Sequence, residues 1–191
     1  MSDGTVRGDI IMSGSSDLVL SGGQIDGDLV LTSSSGEFSG NIQIHGSGFD
    51  YSTNILTGRL TDGNEFSLTM NQDIYDNHTT LFTTNGTPLA WLDEHNLSTD
   101  TDDSDLDGFT TWQEYICGTN PTNNQSFFSV SISTNSALSW CVVTNRSYSI
   151  EQTTNLTTGF TQVTNGLTES SFSMPTTNNA MYLRVKVQLI E

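Results

Sequence analysis

The sequence predicts a mainly β protein interrupted once by a short helix-loop-helix. Three observations carry this. Ser, Thr, Asn and Gly dominate the polar positions while Lys and Arg number only 5 in 191 residues, a composition that favours strands and turns over helices. Short apolar runs punctuated by Gly and Ser recur at near-constant spacing through the first 45 residues. One stretch alone, residues 85–126, changes to helical periodicity around an acidic core. The expected organisation is a β-solenoid or other β-sheet part with a capping hairpin over 1–84, the helix-loop-helix over 85–126, and a small antiparallel β-sandwich over 127–191.

In the first part, Gly8-Asp9-Ile10-Ile11-Met12 is echoed 19 residues on by Gly27-Asp28-Leu29-Val30-Leu31. Leu18-Val19-Leu20 and Ile25 lie between, and Phe38, Ile42 and Ile44 follow. Coils of a solenoid bury their apolar side chains only by stacking on a neighbour, which imposes such a period. A small sandwich or meander with coincidental spacing is the alternative. Further on, Ile55 to Thr61 and Asn64 to Thr69 alternate polar and apolar residues around Asp62-Gly63. That dipeptide tolerates positive φ and signals a hairpin. Leu81 and Phe82 centre a further short strand over Thr79 to Thr83.

In the middle part, Thr87 is placed to cap a helix with Pro88 at its first position. Leu89, Trp91 and Leu92 supply its apolar face, and Asn96 stops it in left-handed geometry. A second helix is expected from about Thr110 to Cys117, where Trp112, Tyr115 and Ile116 share one side. Gly118 and Pro121 end it. In the last part, Leu138-Trp140-Val142, Tyr148-Ile150 and Leu183-Val185-Val187-Leu189 alternate as strands of a sandwich. Cys117 and Cys141 are too few for a disulfide framework. They read either as two small buried thiols or as one bridge, which would persist in an exported protein.

The charge narrows the function. With 22 acidic against 5 basic side chains, the net charge is −17. Phosphate contacts need clustered cations, so nucleic acid is disfavoured, as is an anionic membrane surface. No apolar run approaches the ~20 residues of a membrane span. Met1-Ser2-Asp3-Gly4 lacks the basic start and apolar core of a leader, so export would imply that the natural chain is longer.

The acidic core is the strongest signal. Asp103-Ser104-Asp105-Leu106-Asp107-Gly108-Phe109-Thr110-Thr111-Trp112-Gln113-Glu114 fits the calcium loop D-x-D-x-D-G-x5-E. Ca²⁺ is a hard cation that takes six to eight oxygens at ~2.3–2.6 Å. Alternating Asp103, Asp105 and Asp107 converge three carboxylates from one turn, and Gly108 permits the sharp bend after them. Phe109 offers its backbone carbonyl, Thr111 a hydroxyl or a held water, and Glu114 a carboxylate that closes the site with both oxygens. Five carboxylates fall within the 13 residues from Asp102 to Glu114, with no Lys or Arg between Arg59 and Arg146. Without a cation, their mutual repulsion opposes ordering the loop. A register starting at Asp100 fails, because it puts Asp105 where Gly is needed and Thr111 where Glu is needed.

These residues also carry a resemblance. Trp91-Leu92, Asn96-Leu97, the Asp103 to Phe109 run, Trp112-Gln113-Glu114-Tyr115, Gly118-Thr119-Asn120-Pro121 and Ser126 resemble a module of large secreted bacterial proteins. That module is related to dockerin-like and thrombospondin type-3 calcium repeats, and the likeness spans roughly Pro88 to Ser126. It implies calcium binding through Asp103, Asp105, Asp107 and Glu114, export, and a linking or surface role. Leu106 departs from a usual Gly or small residue, Thr111 from Asn, and Asn120 from Asp; Thr111 and Asn120 remain oxygen donors. A dockerin proper has two such loops and this sequence shows one, a departure that puts cohesin binding in doubt. Leu138-Ser139-Trp140, Arg146 to Glu151, Asn155-Leu156 and Tyr182 to Val185 resemble a small β-domain near the C-termini of such proteins. Ile44 to Phe49, with the Leu56 to Gly63 hairpin, resembles their solenoid ends.

Other motifs carry little. Arg7-Gly8-Asp9 spells an integrin tripeptide, but Gly-Asp recurs at Gly27-Asp28, so repeat geometry explains it. His45, His78 and His95 lack metal spacing, and no nucleophile motif such as G-x-S-x-G occurs. Gly46-Ser47-Gly48 is followed by no helix and is no phosphate cradle. The Asn-x-Ser/Thr sites match what chance supplies in so polar a chain. The expected function is therefore non-enzymatic: a calcium-stabilised structural or adhesion part of an extracellular or cell-surface bacterial protein, with an unidentified protein or glycan partner. The alternatives are a glycan-binding accessory module, marked by exposed aromatics such as Trp140 or Tyr148, and a fibre subunit that self-associates through strand edges.

Overall fold

The computed structural model describes residues 4–32, 38–133, 137–174 and 181–190. The residues form two compact units, 1–100 and 101–191, and both are mainly β. The division falls inside the 85–126 segment.

The first unit opens with five short strands: β1 (Thr5–Arg7), β2 (Ile10–Ser13), β3 (Leu18–Leu20), β4 (Gln24–Asp26) and β5 (Leu29–Thr32). The 19-residue echo becomes a physical register: β1 pairs β4 in parallel with Thr5 opposite Gln24, and β2 pairs β5 with Ile10 opposite Leu29. Asp9 holds the layers together, accepting the Asp28 backbone N–H at 3.1 Å. That use of its carboxylate explains the Arg7-Gly8-Asp9 sequence without an integrin. Gly27 is required for close approach, since a Cβ there would lie 2.3 Å from the Gly8 backbone.

The long strand β6 (Ile42–Ser52) is shared between two pairings. Its first half lies parallel to β3, with Leu18 opposite Ile42, and parallel to β9 (Thr79–Phe82) on the other side. Its second half runs antiparallel to β7 (Ile55–Leu60), which pairs β8 (Glu65–Thr69). The turn between β7 and β8 is wider than a two-residue Asp-Gly hairpin. Only Gly63 has positive φ, at 89°, and Asp62 instead accepts N–H groups from Asn64 (3.0 Å) and Gly23 (2.5 Å). These bonds hold the Asp62 carboxyl below the usual carboxylate range. Leu20, Ile42, Ile44, Leu56 and Leu68 are fully buried in one cluster, each contributing about 1.5–3 kcal/mol.

Two features of this unit correct the sequence reading. The first is a helix, α1 (Gln72–His78), where strands alone were expected. Asn71 caps it by accepting the Ile74 N–H at 2.9 Å, and Ile74 is its buried residue. The second concerns α2 (Leu89–Glu94), whose N-cap is Pro88 and not Thr87. The Thr87 hydroxyl is drawn instead to buried Asp100, donating at 2.8 Å alongside Thr83 (2.6 Å) and Asn85 (3.2 Å). A buried carboxylate needs such donors more than a helix end open to water does. Asn96 ends the helix with φ 57°, as expected.

The second unit carries the acidic loop, then α3 (Thr111–Cys117), β10 (Val130–Ile132), β11 (Ala137–Trp140), β12 (Arg146–Thr153), β13 (Thr161–Leu167), β14 (Ser171–Ser173) and β15 (Tyr182–Leu189). They make two antiparallel sheets, ordered β10-β11-β14 and β13-β12-β15. Leu138, Trp140, Tyr148 and Ile150 form the buried cluster between them. Trp140 and Tyr148 are 5% and 1% exposed, so neither presents the open aromatic face that a glycan-binding module would use. Val142 lies beyond β11 and is exposed. Both cysteines are free thiols: Cys117 is half-buried, and Cys141 is exposed where a buried thiol or a bridge was expected. Burial pushes the Cys117 thiol up to about 11. No helix among the described residues is long and apolar enough to cross a membrane.

Candidate metal centre

The loop from Asp103 to Glu114 is organised by its own carboxylates. Asp103 gathers the chain: its Oδ1 accepts the N–H groups of Leu106 (2.8 Å) and Asp107 (3.2 Å), and its Oδ2 accepts that of Gly108 (2.9 Å). The turn this requires passes through two left-handed residues, Leu106 at φ 64° and Gly108 at φ 99°. Asp107 Oδ1 then accepts the Phe109 N–H at 2.8 Å and turns the chain toward the helix. Thr110 is the N-cap of α3, with its N–H held by Gln113 Oε1 at 2.9 Å. Thr111 is fully buried, and its N–H and hydroxyl both donate to the Asp102 carbonyl, at 2.9 and 3.0 Å. The Thr111 hydroxyl therefore ties the loop's two ends together, a role the sequence did not reveal.

Three carboxylates meet as the spacing predicts. Oxygens of Asp103, Asp105 and Asp107 lie within 4.8 Å of one another. Glu114, in the first turn of α3, is 1% exposed and stands outside that group. Its Oε1 accepts the Thr119 hydroxyl at 3.2 Å. Its carboxyl is pushed up to about 7, chiefly by burial; the Thr119 bond opposes this, and repulsion from Asp105, Asp107 and Asp103 adds to it. Among the described residues, four carboxylate oxygens of this loop are buried without a hydrogen-bond partner: both of Asp105, Oδ2 of Asp107 and Oε2 of Glu114.

Buried anionic oxygens are costly unless paired with a cation or a donor. The cluster of Asp103, Asp105 and Asp107 could hold a metal ion, and its oxygens suit a hard cation rather than a softer one that favours thiolate or imidazole.

No family profile, curated protein or solved structure matches this chain.

The histidines take no part: His45 stacks on Phe82, His78 Nδ1 meets the Gly40 carbonyl, and His95 Nδ1 meets the Trp91 carbonyl. Two residues near the site escaped the sequence reading. Thr119 reaches Glu114 from beyond the helix end, and Arg146 reaches the same helix from β12. Arg146 left one trace, as the first cation after an 86-residue gap from Arg59 to Asn145 counted exclusively of Arg59.

Proposed function

We propose that this chain is a non-enzymatic, calcium-stabilised structural or adhesion part of an extracellular or cell-surface bacterial protein. One Ca²⁺ is held by Asp103, Asp105, Asp107, the Phe109 carbonyl and Glu114. The observation that carries this reading is the set of unpartnered buried carboxylate oxygens on Asp105, Asp107 and Glu114. The parallel 19-residue register of the first unit supports stacked solenoid coils as its architecture. The net charge of −17 opposes nucleic-acid partners and leaves a protein or glycan as the partner class.

The ion stabilises the fold and does not switch it, because a sensor opens a groove between paired loops and this chain has one loop. Extracellular modules bind calcium at ~10⁻⁴–10⁻³ M. Binding only the folded state adds ~2.7 kcal/mol at a hundredfold excess over the dissociation constant. Thermal melts of four samples test this: the protein with calcium, with chelator, and the variants Glu114→Ala and Asp102→Ala. Chelator should lower the melting temperature, Glu114→Ala should abolish the calcium response, and Asp102→Ala should keep it. Unchanged melting in chelator, or equal effects of the two variants, would remove the assigned site.

A further inference from the structure

We infer that Arg146 is a positioning residue for the calcium site, coupling the C-terminal sheets to the ligand Glu114 through the end of α3. The inference rests on the calcium reading of that loop.

The last carbonyls of a helix lack intrahelical partners. In α3 three successive ones are satisfied from outside. The Glu114 carbonyl accepts the N–H groups of Gly118 (2.7 Å) and Thr119 (3.1 Å). The Tyr115 carbonyl accepts Arg146 Nη2 at 2.7 Å, and the Ile116 carbonyl accepts Arg146 Nε at 2.5 Å. The guanidinium also lies over the Tyr115 ring, 5.7 Å from its centroid. A planar fork bridging two adjacent carbonyls fixes the rotation and tilt of the last turn in a way that a single ammonium does not. Its positive charge also sits at the negative end of the helix dipole.

The helix is only seven residues long, so Glu114 lies one residue from the first carbonyl that Arg146 holds. Turning the helix end moves the ligand. The same junction is closed sterically at Gly118, which caps α3 at φ 72° and where a Cβ would stand 2.7 Å from Val143 Cγ1. Arg146 opens β12, the central strand of its sheet. The anchor of the ligand helix is thus the strand on which Tyr148 and Ile150 build the core. Only 5 Lys and Arg serve the whole chain, and this one is committed to a helix end beside an anionic loop that it does not itself pair.

Outer partners that orient a metal ligand typically contribute 10–100-fold in metal affinity. Calorimetric calcium titrations of wild type, Arg146→Met, Arg146→Lys and Arg184→Met, with melts in calcium and in chelator, test the assignment. Arg146→Met should weaken calcium binding by about tenfold or more and shrink the calcium-induced rise in melting temperature. Arg146→Lys should recover part of both. Arg184→Met, which among the described residues loses contacts with Glu151 and Phe160, should bind calcium as wild type does even where its metal-free melting drops. An Arg146→Met protein that melts lower in both conditions yet binds calcium with wild-type affinity would overturn the inference and leave the calcium site standing. A wild type that takes up no calcium would overturn both. Hydrogen exchange on the wild type decides the matter where the variant does not fold. Calcium should slow exchange of the β12 amides next to Arg146, by the reciprocity of coupled sites, and an unchanged rate there contradicts the coupling.

Discussion

Leu106 sits 85% exposed in left-handed backbone at φ 64°, which costs an L-residue about 1–2 kcal/mol. The loop needs that conformation because Asp103 collects three consecutive N–H groups, those of Leu106 itself, Asp107 and Gly108. Leu106→Gly removes the strain while adding about 0.5–1 kcal/mol of unfolded-state freedom. A net gain of about 0.5–1 kcal/mol is expected, read as a melting rise of a few degrees in calcium; a fall would mean the leucine side chain makes contacts that matter more than its backbone. Glu114 gives the opposite kind of prediction. Its folded value of about 7 lies above the ordinary 4.5, so the metal-free fold loses stability as pH rises through that window, and a bound cation removes the loss. Glu114→Gln should therefore raise the metal-free melting temperature near neutral pH and erase the calcium response. In wild type, the gap between calcium and chelator melts should widen from acid toward pH 7. A constant gap across that range would contradict the burial of an ionised ligand.

Between residues and the whole, legibility followed the range of the forces involved. The convergence of Asp103, Asp105 and Asp107, Asn96 and Gly118 were readable because each answers to neighbours a few positions away, and so was the 19-residue parallel register, since it repeats one local geometry. Helix α1 was missed although Asn71, Asp73 and Ile74 are a local signal, because seven residues among strands carry little periodicity. Thr87, Asp100 and Arg146 were not readable at all. Their partners are 13 to 31 residues distant and are set by burial, not by spacing. Glu151 on β12 is a further case: Arg184 lies directly opposite it on β15, with Lys186 one diagonal away. The Arg184 bond above all, and then the Lys186 one, hold its carboxyl below the ordinary range despite some desolvation. A depressed folded value contributes stability that is present above the unfolded value and is lost as pH falls through the folded one. Glu151→Gln should then lower melting near neutral pH and have no effect in strong acid; an equal effect at both would mean the side chain acts by shape and not by charge. In the first unit, Gly27→Ala should cost about 1–3 kcal/mol as an overpacking change, seen in the denaturation midpoint, because the Gly8 backbone has nowhere to retreat without breaking the β1–β4 and β2–β5 pairs.

At the scale of the molecule, two mainly β units carry a net charge of −17, and among the described residues the unsatisfied buried carboxylate oxygens lie in a single loop of the second unit. Elsewhere the acidic side chains that are buried find donors, as Asp100 does with Thr83, Asn85 and Thr87 and Glu151 with Arg184 and Lys186. The contrast singles out both oxygens of Asp105, Oδ2 of Asp107 and Oε2 of Glu114, which are buried without a hydrogen-bond partner. Calorimetric titration of metal-stripped protein with Ca²⁺ tests this most directly. One saturable site per chain is expected, with a dissociation constant at or below ~10⁻³ M, lost in Glu114→Gln and in Asp105→Asn. Absence of saturable binding in that range, or a site that survives both substitutions, would contradict it.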